Sequence, residues 1–256
     1  MPEANFSLKH LADPCFFQEN RLPAHSDHWY YADMAEVNAG ESSFVCRLNG
    51  LWYFQYFQNP QLVTKGFEQL EFDCHDWHTI RVPAHFQLEG YGIPQYTNQT
   101  YPWDGHEAVL PGEVPQRCNP TGVYVKYFHL PQGWKNLYLS LQGVESAVVV
   151  YFNGKYVGYS EDSFTPSEFD LTPYLQTGEN KLVLQVMQFS SGSWLEDQDF
   201  WRFGGIFRDV WMGTKPKCHV EDLKITAIPV NDYKNGMLTG KITWSKEEVR
   251  KVEIQL

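Results

Sequence analysis

No window of about twenty apolar residues occurs in the 256-residue chain, so no membrane-spanning helix is expected. Basic charge is scarce and dispersed: 20 Lys and Arg stand against 31 Asp and Glu, a net charge of −11. A nucleic-acid groove needs a clustered positive field, and an anionic membrane surface attracts basic segments, so neither partner is expected. Cysteine is sparse as well. Cys15, Cys46, Cys74, Cys118 and Cys218 lie at wide intervals, an odd count that argues against a disulfide framework and suits a reducing compartment. Met1 to Pro14 lacks a basic stretch followed by an apolar one, the pattern of a secretory signal, and the expected location is the cytoplasm. The chain has no Gly-rich phosphate loop, no Gly-x-Ser-x-Gly and no His-Glu-x-x-His, which removes the commonest nucleotide, serine-hydrolase and zinc-protease signatures. Cys74-His75-Asp76-Trp77-His78 has no second ligand pair spaced to complete a tetrahedral metal site, and a strand end with polar residues accounts for it. Helical periodicity is thin.

What the chain has is strand signal. Aromatics reach 16%, with 9 Trp, 15 Tyr and 17 Phe, and such side chains favour sheets and flat binding surfaces. Strands are predicted at Leu51 to Phe57, Leu137 to Gln142, Ala147 to Phe152, Lys155 to Tyr159, Leu182 to Met187 and Val210 to Met212. Asn153-Gly154 between two of these runs predicts a type I′ hairpin, whose two central residues need positive φ. Asp170 to Leu175 offers one helical turn, with Thr172 as N-cap and Pro173 at the first helical position. The segment Val82 to Pro120 carries six prolines (Pro83, Pro94, Pro102, Pro111, Pro115, Pro120). An irregular stretch of that length inside a compact domain is usually functional. A boundary falls near Thr214-Lys215-Pro216. Beyond it Val220 to Val230, Gly236 to Trp244 and Val249 to Gln255 read as strands. An immunoglobulin-like sandwich needs about seven strands in ~100 residues, so this second domain is expected to be unfinished. The organisation expected is an N-terminal arm over 1–40, a β-sandwich over 41–215 and the start of a second sandwich over 216–256.

Two constellations carry candidate chemistry. Trp194-Leu195-Glu196-Asp197-Gln198-Asp199-Phe200-Trp201-Arg202 gathers three carboxylates, an amide and aromatics. Carboxylates and amides bond sugar hydroxyls, aromatic faces pack on the C–H faces of a sugar ring, and the acids could hold a hard cation. A loop whose acids cap turns or pair with Arg202 and Arg208 explains the same residues. The second constellation, Tyr96 to Trp103, lies in the proline-rich segment. There Asn98 can bond two adjacent hydroxyls through its carbonyl and its NH₂, and an Asx-turn is the plainer reading. Glycoside hydrolysis needs two carboxyl groups flanking the bond, and nothing here singles out such a pair. The residues by themselves lead to an all-β sandwich with sugar binding as one use.

A series of motifs goes further: Asn20-Arg21-Leu22-Pro23-Ala24-His25, Leu48-Asn49-Gly50-Leu51-Trp52, Tyr96-Thr97-Asn98, Asn119-Pro120-Thr121-Gly122, Asn153-Gly154 with Val157-Gly158-Tyr159, and Pro166-Ser167-Glu168-Phe169-Asp170. Leu195 to Asp199 then runs through Trp201-Arg202 to Gly205-Ile206-Phe207-Arg208-Asp209-Val210. In this order they resemble the N-terminal third of the long bacterial β-galactosidases of glycoside hydrolase family two, over residues 10–230. Leu22 to His28 is similar to the lactic-acid-bacterial branch, which includes large subunits of two-chain enzymes. The resemblance implies a jelly-roll, galactose-binding-like sandwich, then the first strands of an incomplete immunoglobulin-like sandwich, with the catalytic glutamates on a (β/α)₈ barrel that is not in this chain. It implies that Asn98 bonds galactosyl hydroxyls and that Asp199 contacts galactose and helps ligate sodium, together completing the galactose subsite. No residue of this chain is expected to be catalytic. Full-length members use Na⁺ and Mg²⁺; Ser191 and Glu161 stand where Asp and Gln would be expected for a peripheral magnesium, and no magnesium site is assigned. Implied partners are a β-galactoside such as lactose, the barrel and other domains of the same enzyme, and further subunits of a homo- or hetero-oligomer. Two other classes fit the residues: a free-standing lectin-like galactoside-binding module, and an assembly segment acting through its N-terminal arm.

Overall fold

The structure, a computed structural model, describes residues 6–196, 199–246 and 252–253. Two compact units emerge, Met1–Leu22 with Arg47–Met212, and Pro23–Cys46 with Gly213–Leu256. In chain order the strands are β1 (Gln18–Glu19), β2 (Val45–Arg47), β3 (Gly50–Phe57), β4 (His78–Val82), β5 (Ala84–His85), β6 (Gln95–Thr97), β7 (Thr121–His129), β8 (Tyr138–Leu141) and β9 (Val144–Glu145). They continue as β10 (Ala147–Phe152), β11 (Lys155–Ser160), β12 (Ser167–Asp170), β13 (Glu179–Met187), β14 (Phe200–Arg202), β15 (Gly205–Ile206), β16 (Val210–Gly213), β17 (Val220–Val230) and β18 (Asn235–Trp244).

The first unit is the expected all-β sandwich. Seven strands pair in the order β1-β11-β10-β13-β7-β3-β4, and β12, β8 and β16 pair in that order in a second sheet. Leu182, Leu184 and Val186 share a face of β13 with their rung partners Val150 and Val148 on β10 and Tyr124 on β7. All of these, with Leu139, Leu141 and Phe169 of the second sheet, are buried. The facing sheets meet closely at Gly158, where an added Cβ would stand 2.8 Å from the Phe169 ring and 2.5 Å from the Glu19 carbonyl oxygen. Its backbone is ordinary, so space is what glycine supplies here. Gly158→Ala is expected to cost about 2 kcal/mol through overpacking, read as a lower urea midpoint at unchanged slope; an unchanged midpoint would show that the sheets can move apart.

Local chemistry explains most boundaries. Asn153 (φ 50°) and Gly154 (φ 78°) make the left-handed turn expected between β10 and β11. The single turn Thr172–Tyr174 is present, but Thr172 is not its cap. The Thr172 hydroxyl accepts from Leu137 N at 3.0 Å, and Asp170 Oδ1 accepts from Thr172 N at 2.9 Å.

The stretch expected as one arm over 1–40 divides after Leu22. Before it, β1 pairs with β11. After it, the chain joins the second unit: Ser26 N donates to Asp222 Oδ1 at 2.9 Å, Leu223 N to Ser26 Oγ at 2.8 Å, and the Tyr30 hydroxyl to Val220 O at 2.7 Å. The short helix α1 (Met34–Ala39) went unrecognised in the sequence; Asp33 Oδ1 caps it by accepting from Ala35 N and Glu36 N. β17 and β18 form a hairpin over ten residue pairs, Val220↔Trp244 to Val230↔Asn235. The third strand expected at Val249–Gln255 falls largely outside the described residues.

Candidate functional site

The two constellations meet. β6 and β14 form a separate two-stranded ladder with the register Gln95↔Arg202, Tyr96↔Trp201 and Thr97↔Phe200. Asn98 is the next residue after Thr97, and Asp199 the one before Phe200, so both emerge from the same end of the ladder. Both are exposed. The Tyr96 hydroxyl donates to Asp199 Oδ1. That bond holds the phenol above its ordinary ionisation range, and a hydrogen bond with Asn98 pulls the other way. The Tyr96 hydroxyl thus ties the end of the ladder to Asp199, with the Asn98 side chain near enough to influence it. Beside it the half-exposed Trp201 ring lies 5.8 Å from that of Tyr96.

Buried groups fix this edge from below. Arg202, 6% exposed, donates through Nε to Thr97 Oγ1 at 3.1 Å and through Nη1 to Glu196 O at 3.0 Å. Its guanidinium lies 4.3 Å over the Phe200 ring. Arg202 thus reaches the backbone of Glu196, whose carboxylate accepts from Ser163 Oγ at 3.0 Å. Asp197 lies outside the described residues. A cavity of about 20 Å³, room for one water, is lined by Glu145, Glu196, Arg202 and Gln188 among others. Burial, then the nearby Glu196 charge, pushes the Glu145 carboxyl up to about 8, although Arg202 opposes it.

The proline-rich segment is held by its own polar groups. Glu107 accepts from the backbone N–H of Gln116, Arg117 and Cys118 at 2.9, 2.9 and 3.2 Å. Trp103, buried, stacks on Tyr101 at 5.2 Å and meets Trp194 at 4.8 Å, and Trp194 Nε1 donates to Glu113 O at 2.6 Å. These tryptophans, read from sequence among sugar-facing aromatics, hold the loop; Tyr96 and Trp201 are the exposed pair.

Among the described residues no group of three or more His, Cys, Asp and Glu could hold an ion. Asp199 fits sodium as one oxygen donor only, since a hard cation gathers several. Glu161 is already satisfied by neutral donors: Tyr159 OH at 2.6 Å, Ser191 Oγ at 2.7 Å and Gly192 N at 3.0 Å. That closed set does not fit magnesium.

Similarity to known proteins agrees with this geometry. The family model described as "Glycosyl hydrolases family 2, sugar binding domain" matches residues 45–216. A β-galactosidase of Halalkalibacterium halodurans is 51% identical over 95% of this chain and 24% of its own length. One of Streptococcus thermophilus is 49% identical over 84% and 21%, and a β-galactosidase large subunit of Leuconostoc lactis is 44% identical over 93% and 40%. The chain thus spans about a quarter to two-fifths of the curated relatives it matches. Among solved structures, a β-glucuronidase of Bacteroides uniformis superposes with a TM-score of 0.54 at 26% identity, over 72% of this chain and 20% of that one. One from an uncultured Clostridium, at 23% identity and TM-score 0.57 over 87% and 36%, shares the fold. An all-β sandwich matched over residues 45–216, with a polar, aromatic-flanked strand end exposed on it, leads to one conclusion: the chain belongs to glycosyl hydrolase family 2 and carries its sugar-binding domain.

Proposed function

We propose that this chain is part of a retaining β-galactosidase acting on terminal β-D-galactosides such as lactose, and that Asn98 and Asp199 are its contribution to the galactose subsite. The observation carrying this reading is the β6–β14 register, which brings the exposed Asn98 and Asp199 out of the same ladder end, with the Tyr96 hydroxyl bonded to Asp199. An amide offers a carbonyl and two N–H donors, a carboxylate accepts, and vicinal sugar hydroxyls need both. The bond-cleaving carboxyl pair and its barrel would come from polypeptide outside this chain, to which these residues supply orientation. Binding non-reacting hydroxyls is a legitimate route to rate, because it holds the reacting carbon in place.

Sodium, if resident, would take Asp199 as one ligand and present its remaining coordination to the sugar. Magnesium, on this reading, is held elsewhere in the whole protein. The first unit reads as a jelly-roll and the second as the opening of an immunoglobulin-like sandwich. The oligomer is homo- or heteromeric. Five cysteines outside any disulfide suit a cytoplasmic location.

In the full-length protein, Asn98→Ala or Asp199→Ala is expected to lower kcat/KM for a β-galactoside more than about tenfold, at least ~1.4 kcal/mol of transition-state stabilisation. Wild-type kinetics in both variants would refute the assignment.

A further inference from the structure

A second surface of the first unit has the chemistry of a ligand site, and it shares no residue with the Asn98–Asp199 pair. Rung partners lie on one face of a sheet, so Gln185 on β13 stands with Val149 on β10 and Val123 on β7. This is the face turned away from the second sheet. Two small clusters cover it. One is Leu11, Val114, Ala147, Val149, Tyr159 and Met187; the other is Phe67, Cys74, Val123, Val125 and Val183, and Tyr151 packs against both. Between them lies a groove of about 900 Å³, lined by Gln185, Tyr151, Tyr156, Tyr174, Gln61 and Gln69 among others. That volume falls in the range of small-molecule sites, ~300–1,000 Å³.

Gln185 is the informative residue. It is 5% exposed and lines the groove, yet among the described residues its amide makes no hydrogen bond. Its amide atoms are not sealed from solvent, so their hydrogen-bonding capacity is open to water or to a ligand in the groove that Gln185 lines. The Tyr151 hydroxyl, in the same lining, likewise has no protein partner among the described residues. Tyr156 by contrast donates to Glu19 Oε2 at 2.5 Å, which fixes its ring at the groove wall.

We propose that this groove is a second saccharide site, taking a neutral β-linked oligosaccharide, with Gln185 and the Tyr151 hydroxyl bonding sugar hydroxyls at its floor. Half-buried tyrosine rings offer faces to sugar C–H groups, and glutamine amides both donate and accept. Lys65 and Lys155 of the lining stand against Glu68 and against Glu19, which is bonded to the lining Tyr156, so neither sign dominates and a charged ligand is not selected.

Titration calorimetry of the full-length protein with cellotriose, which has no terminal galactose, tests this. Saturable binding is expected. Gln185→Leu should weaken it at least about tenfold, because the amide that bonds the sugar hydroxyls is removed. Tyr151→Phe should also weaken binding, and it keeps the ring should Gln185→Leu fail to fold. Asn98→Ala should leave cellotriose binding unchanged, which separates this site from the galactoside reading. No binding of cellotriose or xylotriose at about 50 mM, or binding that both groove variants leave intact, would overturn the proposal.

Discussion

Lys181→Met is expected to destabilise the protein by about 3–5 kcal/mol, the cost of breaking a buried charged network from one side. Lys181 is 1% exposed. Its Nζ donates to Phe67 O at 2.9 Å, Gln69 O at 2.6 Å and Phe72 O at 2.7 Å, three carbonyls of the segment between β3 and β4. Burial pulls the ammonium's pKa down, and the Cys74, Glu68 and Asp73 groups oppose that. Methionine fills much the same space but leaves Phe67 O without a donor, at ~1–3 kcal/mol before relaxation, and leaves Gln69 O and Phe72 O with only the longer bonds from Phe72 N at 3.3 Å and Cys74 Sγ at 3.7 Å. Arginine would not substitute, since its planar fork cannot reach three converging oxygens as a compact ammonium does. Urea denaturation measures the loss, and amide exchange should place it in residues 67–72. A change below about 1 kcal/mol would mean that water replaces the ammonium without penalty.

Lys181 also shows where sequence reading stops. The spacing of Lys181, Val183, Gln185 and Met187 is that of one strand face, and two polar residues among the four read as solvated. The face is covered because Phe67, Phe72 and Leu11, distant in sequence, fold over it. Strand existence was legible for a different reason: β3, β8, β10 and β11 carry their signal locally, in β-branched and aromatic runs and in an Asn-Gly turn whose φ values follow from residue type. Boundaries set by tertiary contacts were not legible. Thr172 has the chemistry of a cap, but Leu137 N claims its hydroxyl. Pro23 to Gly40 looked continuous with the residues before it, and contacts with Val220, Asp222 and Leu223, nearly two hundred residues away, draw it into the second unit.

The candidate site divides in the same way. Asn98 and Asp199 were singled out by motif, and the β6–β14 register that brings them to one strand end lies in no local pattern. Tyr96 was inside a marked constellation without a role, which only its bond to Asp199 supplies. Trp103 and Trp194 are chemically indistinguishable in sequence from a sugar platform, and the burial of Trp103 and the packing of the two rings against each other decide otherwise.

Stability is expected to fall as pH rises from about 5 to about 9, and Glu145→Gln should flatten that slope. The Glu145 side chain is 12% exposed, with His85 Nδ1 3.8 Å from its Oε2. Burial lowers the His85 pKa, so near neutrality the histidine is uncharged and lends no cation; Arg202 is the one that opposes the upward shift, and Glu196 reinforces it. The folded state holds the Glu145 proton up to about 8, against an ordinary carboxylate value of 4.5. Between those values the folded protein binds the extra proton, so raising pH favours the unfolded chain, and the loss is complete only above the folded value. The full shift corresponds to roughly 5 kcal/mol at ~1.4 kcal/mol per unit, and water entering the adjacent cavity should reduce it to about 2–3. Glu161 and Glu196, also raised chiefly by burial, act with the same sign, so the variant keeps part of the slope. Urea midpoints of both proteins at about pH 6 and about pH 9 are the measurement. Glu145→Gln should be the more stable at the higher pH and close to wild type at the lower. Parallel profiles would show that Glu145 ionises without cost, with Arg202 neutralising it and the cavity hydrated.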